Sequence, residues 1–548
     1  MRARPLTTSL RPLAPRRIAA SAAALPLGLV LALALSAPRP ASAQTTPEAL
    51  PQMGSSAARL IDPAEEARYA AMLMRELRRQ DLLIEDPLVE AWLQGLGFRI
   101  AAASGEPDHG FTFFMMRDRR INAFATLGGL IGMNAGLVLT AEREDEVAGV
   151  LAHEVAHVTQ RHVLRAAERS QQIQLPTLLA MLGAVAAASQ TDSRSSDDAV
   201  QAAIVGAQAW LAQQQINYTR SNESEADRIG IETLARAGFD PLGIADFFGR
   251  MERNSRGNSG GWQAPEYLRT HPVTTTRVAE ARDRALAMSK RPLPTAAGLQ
   301  RDPHLLLPVA LAPDALAQPA RPAEFGWARE RLRVLSARSA RDAVAEYERL
   351  AAAGPMAAEL QYGHALALLA AGRANDAAQR LERLLEAQPR SLWLRLAAAE
   401  AAHGAGRAAD ATRRFEALLA DYPRHRAVTL AYAQALNERG DPESGRRAQA
   451  LLRPLLADGA GDLLLQQRFA RASELAGDAN RAVEAHAEAA FIAGRAEDAL
   501  KQLDGLKQRD DVDYVQRARV EARMAEIMPV VLEMRRAGLR AQDQARRT

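Results

Sequence analysis

The chain has 548 residues, 48% of them apolar and 24% charged, with ten histidines and no cysteine. That length accommodates more than one domain, and the missing cysteines exclude disulfides, thiolate metal sites and a lipid-modified N-terminal cysteine. The formal charge of +4 makes no case for a nucleic-acid partner, because six arginines and no acid lie in the first 43 residues, leaving 63 basic against 65 acidic residues beyond them.

Residues 1–43 read as a signal peptide. Arg2, Arg4, Arg11, Arg16 and Arg17 form a basic start, "AALPLGLVLALALSA" (Ala23–Ala37) an apolar stretch, and "ASA" (Ala41–Ala43) a small-residue cleavage site. Secretion with cleavage after Ala43 predicts a periplasmic protein. No later apolar run reaches the length of a membrane-spanning helix, which leaves peripheral contact with a membrane open. A helical pattern then runs from Asp62 to about Arg79, and a second from Asp86. Three short strands are expected in Phe111–Met116, "INAFAT" and "LIGMNAGLV", with turns at Arg117–Arg120 and Gly128–Gly129. From Thr140, a plausible N-cap, "TAEREDEVAGVLAHEVAHVTQRHVLRAAERS" reads as one long helix. Residues 171–212 read either as a hairpin-like insertion near the site or as two buried helices with a surface loop.

Five prolines between Pro303 and Pro322 mark a linker over 301–323. Beyond it the chain repeats. Gly372, Gly406 and Gly440 are 34 residues apart, and so are Pro355, Pro389 and Pro423, and Ala343, Ala377 and Ala411. Glycine closes the turn between two helices, alanine lets them approach and proline ends the second, as in the 34-residue tetratricopeptide unit. This predicts a repeat domain over 324–530, a concave surface that binds other proteins, and a tail over 531–548.

The chemistry concentrates in "HEVAH". His153 and His157 are i and i+4 on one helical face, so both imidazoles can reach one ion. Glu154 lies beside the first of them, placed to act as general base toward a zinc-activated water. A zinc site needs a third protein ligand, and without cysteine it must be histidine or carboxylate. "NESEADRIG" supplies Glu223 as that ligand, with Asp227 one helical turn on to receive the N–H of a ligand histidine. Glu225 should point elsewhere. His162, five residues past His157, lies off the ligand face of a continuous helix and reads as a surface or packing residue. A substrate could pair as an added strand along Asn122, Ala123, Phe124, Ala125 and Thr126.

"HEVAHVTQRH", "NESEADRIG", "HPVTTTR" (His271–Arg277) and "INAFATLGGLIGMNAGL" together resemble the BepA-like secreted metalloproteases, soluble relatives of HtpX and the CAAX prenyl proteases. The repeats match that type as well. The resemblance implies a mainly α fold: a gluzincin-type metalloprotease domain of helices with a small β-sheet over 44–300, followed by an α-solenoid of tetratricopeptide repeats. It implies Zn²⁺ on His153, His157 and Glu223, His271 as a regulatory fourth ligand that holds the enzyme inactive, and Arg277 beside the site. It further implies endopeptidase action on misassembled outer-membrane proteins and contact with the β-barrel assembly machinery through the repeats. The alternative is a chaperone or adaptor for β-barrel assembly in which proteolysis is secondary.

Overall fold

A computed structural model describes residues 61–169, 219–257, 267–268, 271–289 and 322–536, apart from 458 and 460. The expected signal peptide, the 171–212 segment, most of the linker and the last twelve residues lie outside them. Among the described residues no helix is long and apolar enough to cross a membrane.

Helix α1 (Pro63–Arg79) opens with a capping box, in which Asp62 accepts from the Glu65 amide and the Glu65 carboxylate reaches back to the Asp62 N–H. Helix α2 (Pro87–Ala102) is capped by Asp86, which accepts from the amides of Leu88 and Val89. Three strands follow: β1 (Thr112–Met116), β2 (Ala123–Thr126) and β3 (Leu130–Asn134). The sheet order is β1-β3-β2, with β1 parallel and β2 antiparallel to the central β3. Thus β2 is an edge strand, paired with β3 from Ala123↔Met133 to Thr126↔Leu130.

Two expectations fail between residues 130 and 170. The third strand stops at Asn134, and Ala135–Thr140 form the short helix α3 instead of continuing it. The cause is local. The Gly136 amide donates to the Asp118 carbonyl, and a side chain at 136 would collide with the Arg119 backbone at 2.0 Å, so the chain turns there against the 117–120 loop. The long helix expected from Thr140 is also divided. Thr140 ends α3, with its hydroxyl bonded back to the Gly136 carbonyl, and α4 spans Glu144–Thr159. Arg161 then takes a left-handed backbone conformation (φ 53°) before α5 resumes over 162–169.

Helix α4 is buried along nearly its whole length, from Glu146 to Ala156. Close neighbours make that possible. A Cβ on Gly230, in helix α6 (219–236), would stand 3.1 Å from the His153 backbone, and one on Gly149 would meet Ile244 of α7 (Leu242–Gly257) at 2.8 Å. With α8 (Thr275–Ser289) against α7, the buried helix is enclosed by packed elements that carry polar side chains toward it.

Helix α9 (Pro322–Leu335) packs on α2 and α3, and one apolar core runs from the N-terminal domain through it into the helices beyond. Ion pairs reinforce the junction: Arg331 with Asp86 (2.7 Å), Arg426 with Glu90 (2.6 Å) and Arg119 with Glu346 (2.8 Å). From Ala340 onward the described chain is a succession of paired helices. Four of them begin at Ala340, Ala374, Ala408 and Pro442, 34 residues apart, and each packs on the helix that follows it in the chain. Gly372, Gly406 and Gly440 occupy the turns with φ of 74–77°, a conformation that a side chain resists. The final helix, Tyr514–Arg536, continues past residue 530.

Candidate metal centre

Four side chains from three parts of the chain converge. His153 and His157 project from α4 one turn apart, Glu223 from α6, and His271 from the segment before α8; one donor atom of each lies within 4.8 Å of all the others. The Nε2 atoms of His153 and His157 are 3.0 Å apart. Glu223 lies 3.4 Å from each of them. His271 Nδ1 sits 2.9 Å from Glu223 Oε1 and 3.4 Å from His153 Nε2. The His271 ring stacks on the buried Tyr267 at a centroid distance of 4.7 Å.

The outer partners differ for the two α4 histidines. His153 Nδ1 lies 3.0 Å from Asp227 Oδ1, a pairing set by charge more than by hydrogen-bond alignment. Arg277 holds Asp227 with a two-pronged contact, Nη2 donating to Oδ1 at 2.8 Å and Nε to Oδ2, while Nη1 reaches Glu223 Oε2 at 2.8 Å. His157 Nδ1 instead faces His162 Nδ1 at 2.8 Å. His162 Nε2 is 3.2 Å from Glu225 Oε2, which also accepts from Arg165 at 3.0 Å.

His162 is therefore buried against the cluster without joining it, so the surface role read from helical spacing fails while the packing alternative stands, with a contact to His157 that the spacing did not foresee. The left-handed turn at Arg161 breaks the spacing that reading assumed. Glu225 does point away from the cluster, toward His162. Tyr267 had no motif to single it out.

Electrostatics explain why these groups tolerate burial together. Glu223 and Asp227 share one buried guanidinium, Arg277, and the Glu154 carboxyl is buried beside them. Burial opposes ionising Asp227, but the hydrogen bonds from Arg277 and the close approach of His153 outweigh it and lower the carboxyl to about 2. Burial likewise opposes charging His153, yet Asp227 and Glu223 raise it to about 9. Glu223 is held well below its usual range by the three surrounding imidazoles, against its own burial. His157 is pushed down, chiefly by burial and by His153 beside it. His162 falls to about 4, chiefly through burial, then His157. Glu154 is 1% exposed, and neither carboxylate oxygen has a hydrogen-bond partner; His271 Nε2 stands 3.7 Å from Oε1.

These features fit a divalent cation. The donor set is imidazole nitrogen and carboxylate oxygen with no sulfur, and the converging atoms crowd one point. An orphaned buried carboxylate beside them is costly unless a further polar species completes the site.

The comparisons agree with this geometry. The model of peptidase family M48, a family that uses zinc, matches residues 87–285. A Vibrio cholerae protein named provisionally as a beta-barrel assembly-enhancing protease is 42% identical over 246 residues, 45% of this chain and 49% of its own. The Escherichia coli K12 beta-barrel assembly-enhancing protease is 37% identical over 241 residues, 44% of this chain and 48% of its own. The mitochondrial metalloendopeptidase OMA1 of Schizosaccharomyces pombe is 29% identical over 181 residues, 33% of this chain and 48% of its own. The chain thus aligns with about half the length of the curated relatives it matches.

Proposed function

We propose that the protein is a zinc-dependent endopeptidase of the periplasm that acts on proteins during outer-membrane β-barrel assembly. The observation that carries the proposal is the convergence of His153, His157 and Glu223 beside the unpartnered carboxylate of Glu154. The β-barrel role rests on the names of the relatives, and the location on the signal-like N-terminus.

His153 Nε2, His157 Nε2 and the Glu223 carboxylate would hold the zinc ion, which would supply Lewis-acid chemistry to the scissile carbonyl and the attacking water. Glu154 orients the attacking water and accepts its proton, then passes that proton to the leaving amine. Its lack of other partners keeps both oxygens free for this task. Arg277 neutralises Asp227 and steadies Glu223, so the ligand carboxylate keeps its orientation. The edge strand β2 offers a backbone for an extended substrate, and the cleft beside it is lined by Ala125, Thr126, Leu127, His157 and Leu164. Asn122 precedes this strand, its carbonyl accepting from the Asn134 amide.

His271 acts as a latch. Its Nδ1 stands among the ligand atoms and its Nε2 faces Glu154, so the ring occupies the space a substrate carbonyl needs. The paired helices from Ala340 form tetratricopeptide repeats that bind clients or the β-barrel assembly machinery; their 34-residue helix spacing supports this reading. The experiment is casein or self-cleavage on wild type, Glu154→Gln and His271→Ala, with zinc content measured alongside. Glu154→Gln should lose roughly 10²–10⁴-fold in rate while keeping zinc, and His271→Ala should gain activity. Undiminished proteolysis in Glu154→Gln would overturn the proposal.

A further inference from the structure

Helical spacing separates i and i+5 by 140°, so a continuous helix could not bring His162 to His157. The interruption after Thr159 does. Arg161 adopts φ 53°, which costs a non-glycine residue free energy, and α5 restarts at 162 with its first side chain folded back toward α4. The result is a 2.8 Å contact between two Nδ1 atoms, with His162 only 4% exposed.

A nitrogen–nitrogen contact of that length requires one donor and one acceptor. The ionised Glu225 carboxylate can only accept, and it already receives Arg165, so His162 Nε2 carries a hydrogen toward it. A neutral His162 then presents a bare Nδ1. His157 must supply the hydrogen from its own Nδ1, which leaves the lone pair on His157 Nε2 aimed at His153, Glu223 and His271. The opposite assignment would put a hydrogen on His157 Nε2, where a cation has to be met. The network therefore has one arrangement compatible with ligation.

We infer that His162 is a positioning residue for the ligand His157: its Nδ1 accepts the His157 Nδ1 hydrogen, fixing that ring's tautomer and orientation, and Glu225 with Arg165 orients His162 in turn. This rests on the metal centre proposed above. His153 has a carboxylate, Asp227, in the corresponding place, whereas His157 has a neutral imidazole backed by a carboxylate one step further out. Partners of this kind are worth roughly 10–100-fold in metal affinity.

The test measures zinc dissociation constants by competition with a chromogenic chelator, on the full chain. His162→Leu removes the acceptor; His162→Asn restores one near the position of Nδ1, and His162→Gln displaces it toward that of Nε2. The expected result is zinc binding weakened roughly 10–100-fold in His162→Leu, with recovery of most of that loss in His162→Asn but not in His162→Gln. Nitrogen NMR of the histidine-labelled, zinc-loaded protein should show a hydrogen on His157 Nδ1 in wild type. Equal weakening in the Asn and Gln variants would overturn the inference in favour of simple packing, as would undiminished affinity in His162→Leu. Should His162→Leu fail to fold, the Asn–Gln contrast and the NMR signal decide alone. A wild-type protein that binds no zinc would sink the metal centre itself, a separate outcome.

Discussion

The two histidines of α4 present the same atom to the same point, yet they are held in different ways. Behind His153 the wall is closed and charged. Asp227 and Arg277 are 2% and 9% exposed, and the guanidinium also reaches Glu223. Behind His157 the support passes through His162 to a carboxylate and an arginine whose side chains remain 30% and 37% exposed. One side depends on a buried ion pair fixed between two helices, the other on a backbone break and a rim that water reaches. The difference teaches that equivalent ligands need not be equally costly to disturb: removing one partner of a buried pair strands a charge, whereas a rim pair can be rehydrated.

The largest contrast is therefore expected between Asp227→Asn and Glu225→Gln. Asp227→Asn leaves Arg277 buried without its two-pronged acceptor, and should cost about 3–5 kcal/mol of folding stability. Glu225→Gln should cost about 1 kcal/mol or less. Urea unfolding of both variants beside wild type checks this, and equal losses would break the asymmetry. Substituting the arginines sharpens it. Arg277→Lys cannot reproduce the fork on Asp227 together with the contact to Glu223, and should lose roughly 2 kcal/mol, whereas Arg165 reaches Glu225 and the Gln160 carbonyl through one nitrogen, so Arg165→Lys should stay within about 0.5 kcal/mol.

Acid probes the closed side without mutation. The Asp227 carboxyl is lowered to about 2 from an ordinary 3.8. A depressed carboxyl stabilises the fold fully above its unfolded value, and that contribution is lost as pH falls through its folded value. The stability gap between metal-free wild type and Asp227→Asn should thus stay constant between about pH 4 and 6, narrow toward pH 2, and narrow again toward pH 9 as the His153 charge that Asp227 supports is lost. A gap that widened on acidification would remove the Asp227–Arg277 pair as its source.

The same contrast governs what could be read from the chain alone. His153, Glu154 and His157 obey the helical period because α4 is regular between Glu144 and Thr159, and Glu223 and Asp227 obey it within α6. Residues spaced by an unbroken helix announce a shared face. His162 does not, because the deciding event is a single positive φ at Arg161, and arginine carries no signal for that conformation as glycine or asparagine would. Its one trace is density, three histidines in the ten residues His153–His162. The extent of β3 was hidden for a related reason. "LIGMNAGLVL" is apolar almost throughout, so neither a two-residue nor a 3.6-residue period shows, and the turn at Gly136 follows from a contact with the distant 117–120 loop. The 34-residue helix spacing beyond Ala340, by contrast, repeats often enough to be visible in composition.

The smallest expected effect addresses that break directly. If the left-handed turn is imposed by the contacts that bring His162 to His157, Arg161 bears a backbone strain that the site maintains. Arg161→Gly removes the steric penalty of φ 53°, worth about 1–2 kcal/mol, but adds flexibility to the unfolded chain worth up to about 1 kcal/mol. The net should be a gain of about 0.5 kcal/mol in unfolding free energy, with zinc affinity unchanged because His162 keeps its place. Arg161→Val, whose branched side chain resists positive φ, should move the other way and weaken zinc along with the fold. Chelator competition and urea unfolding on the two variants separate the outcomes. If Arg161→Val folds and binds zinc as tightly as wild type, the turn is not needed to hold the His157 side together.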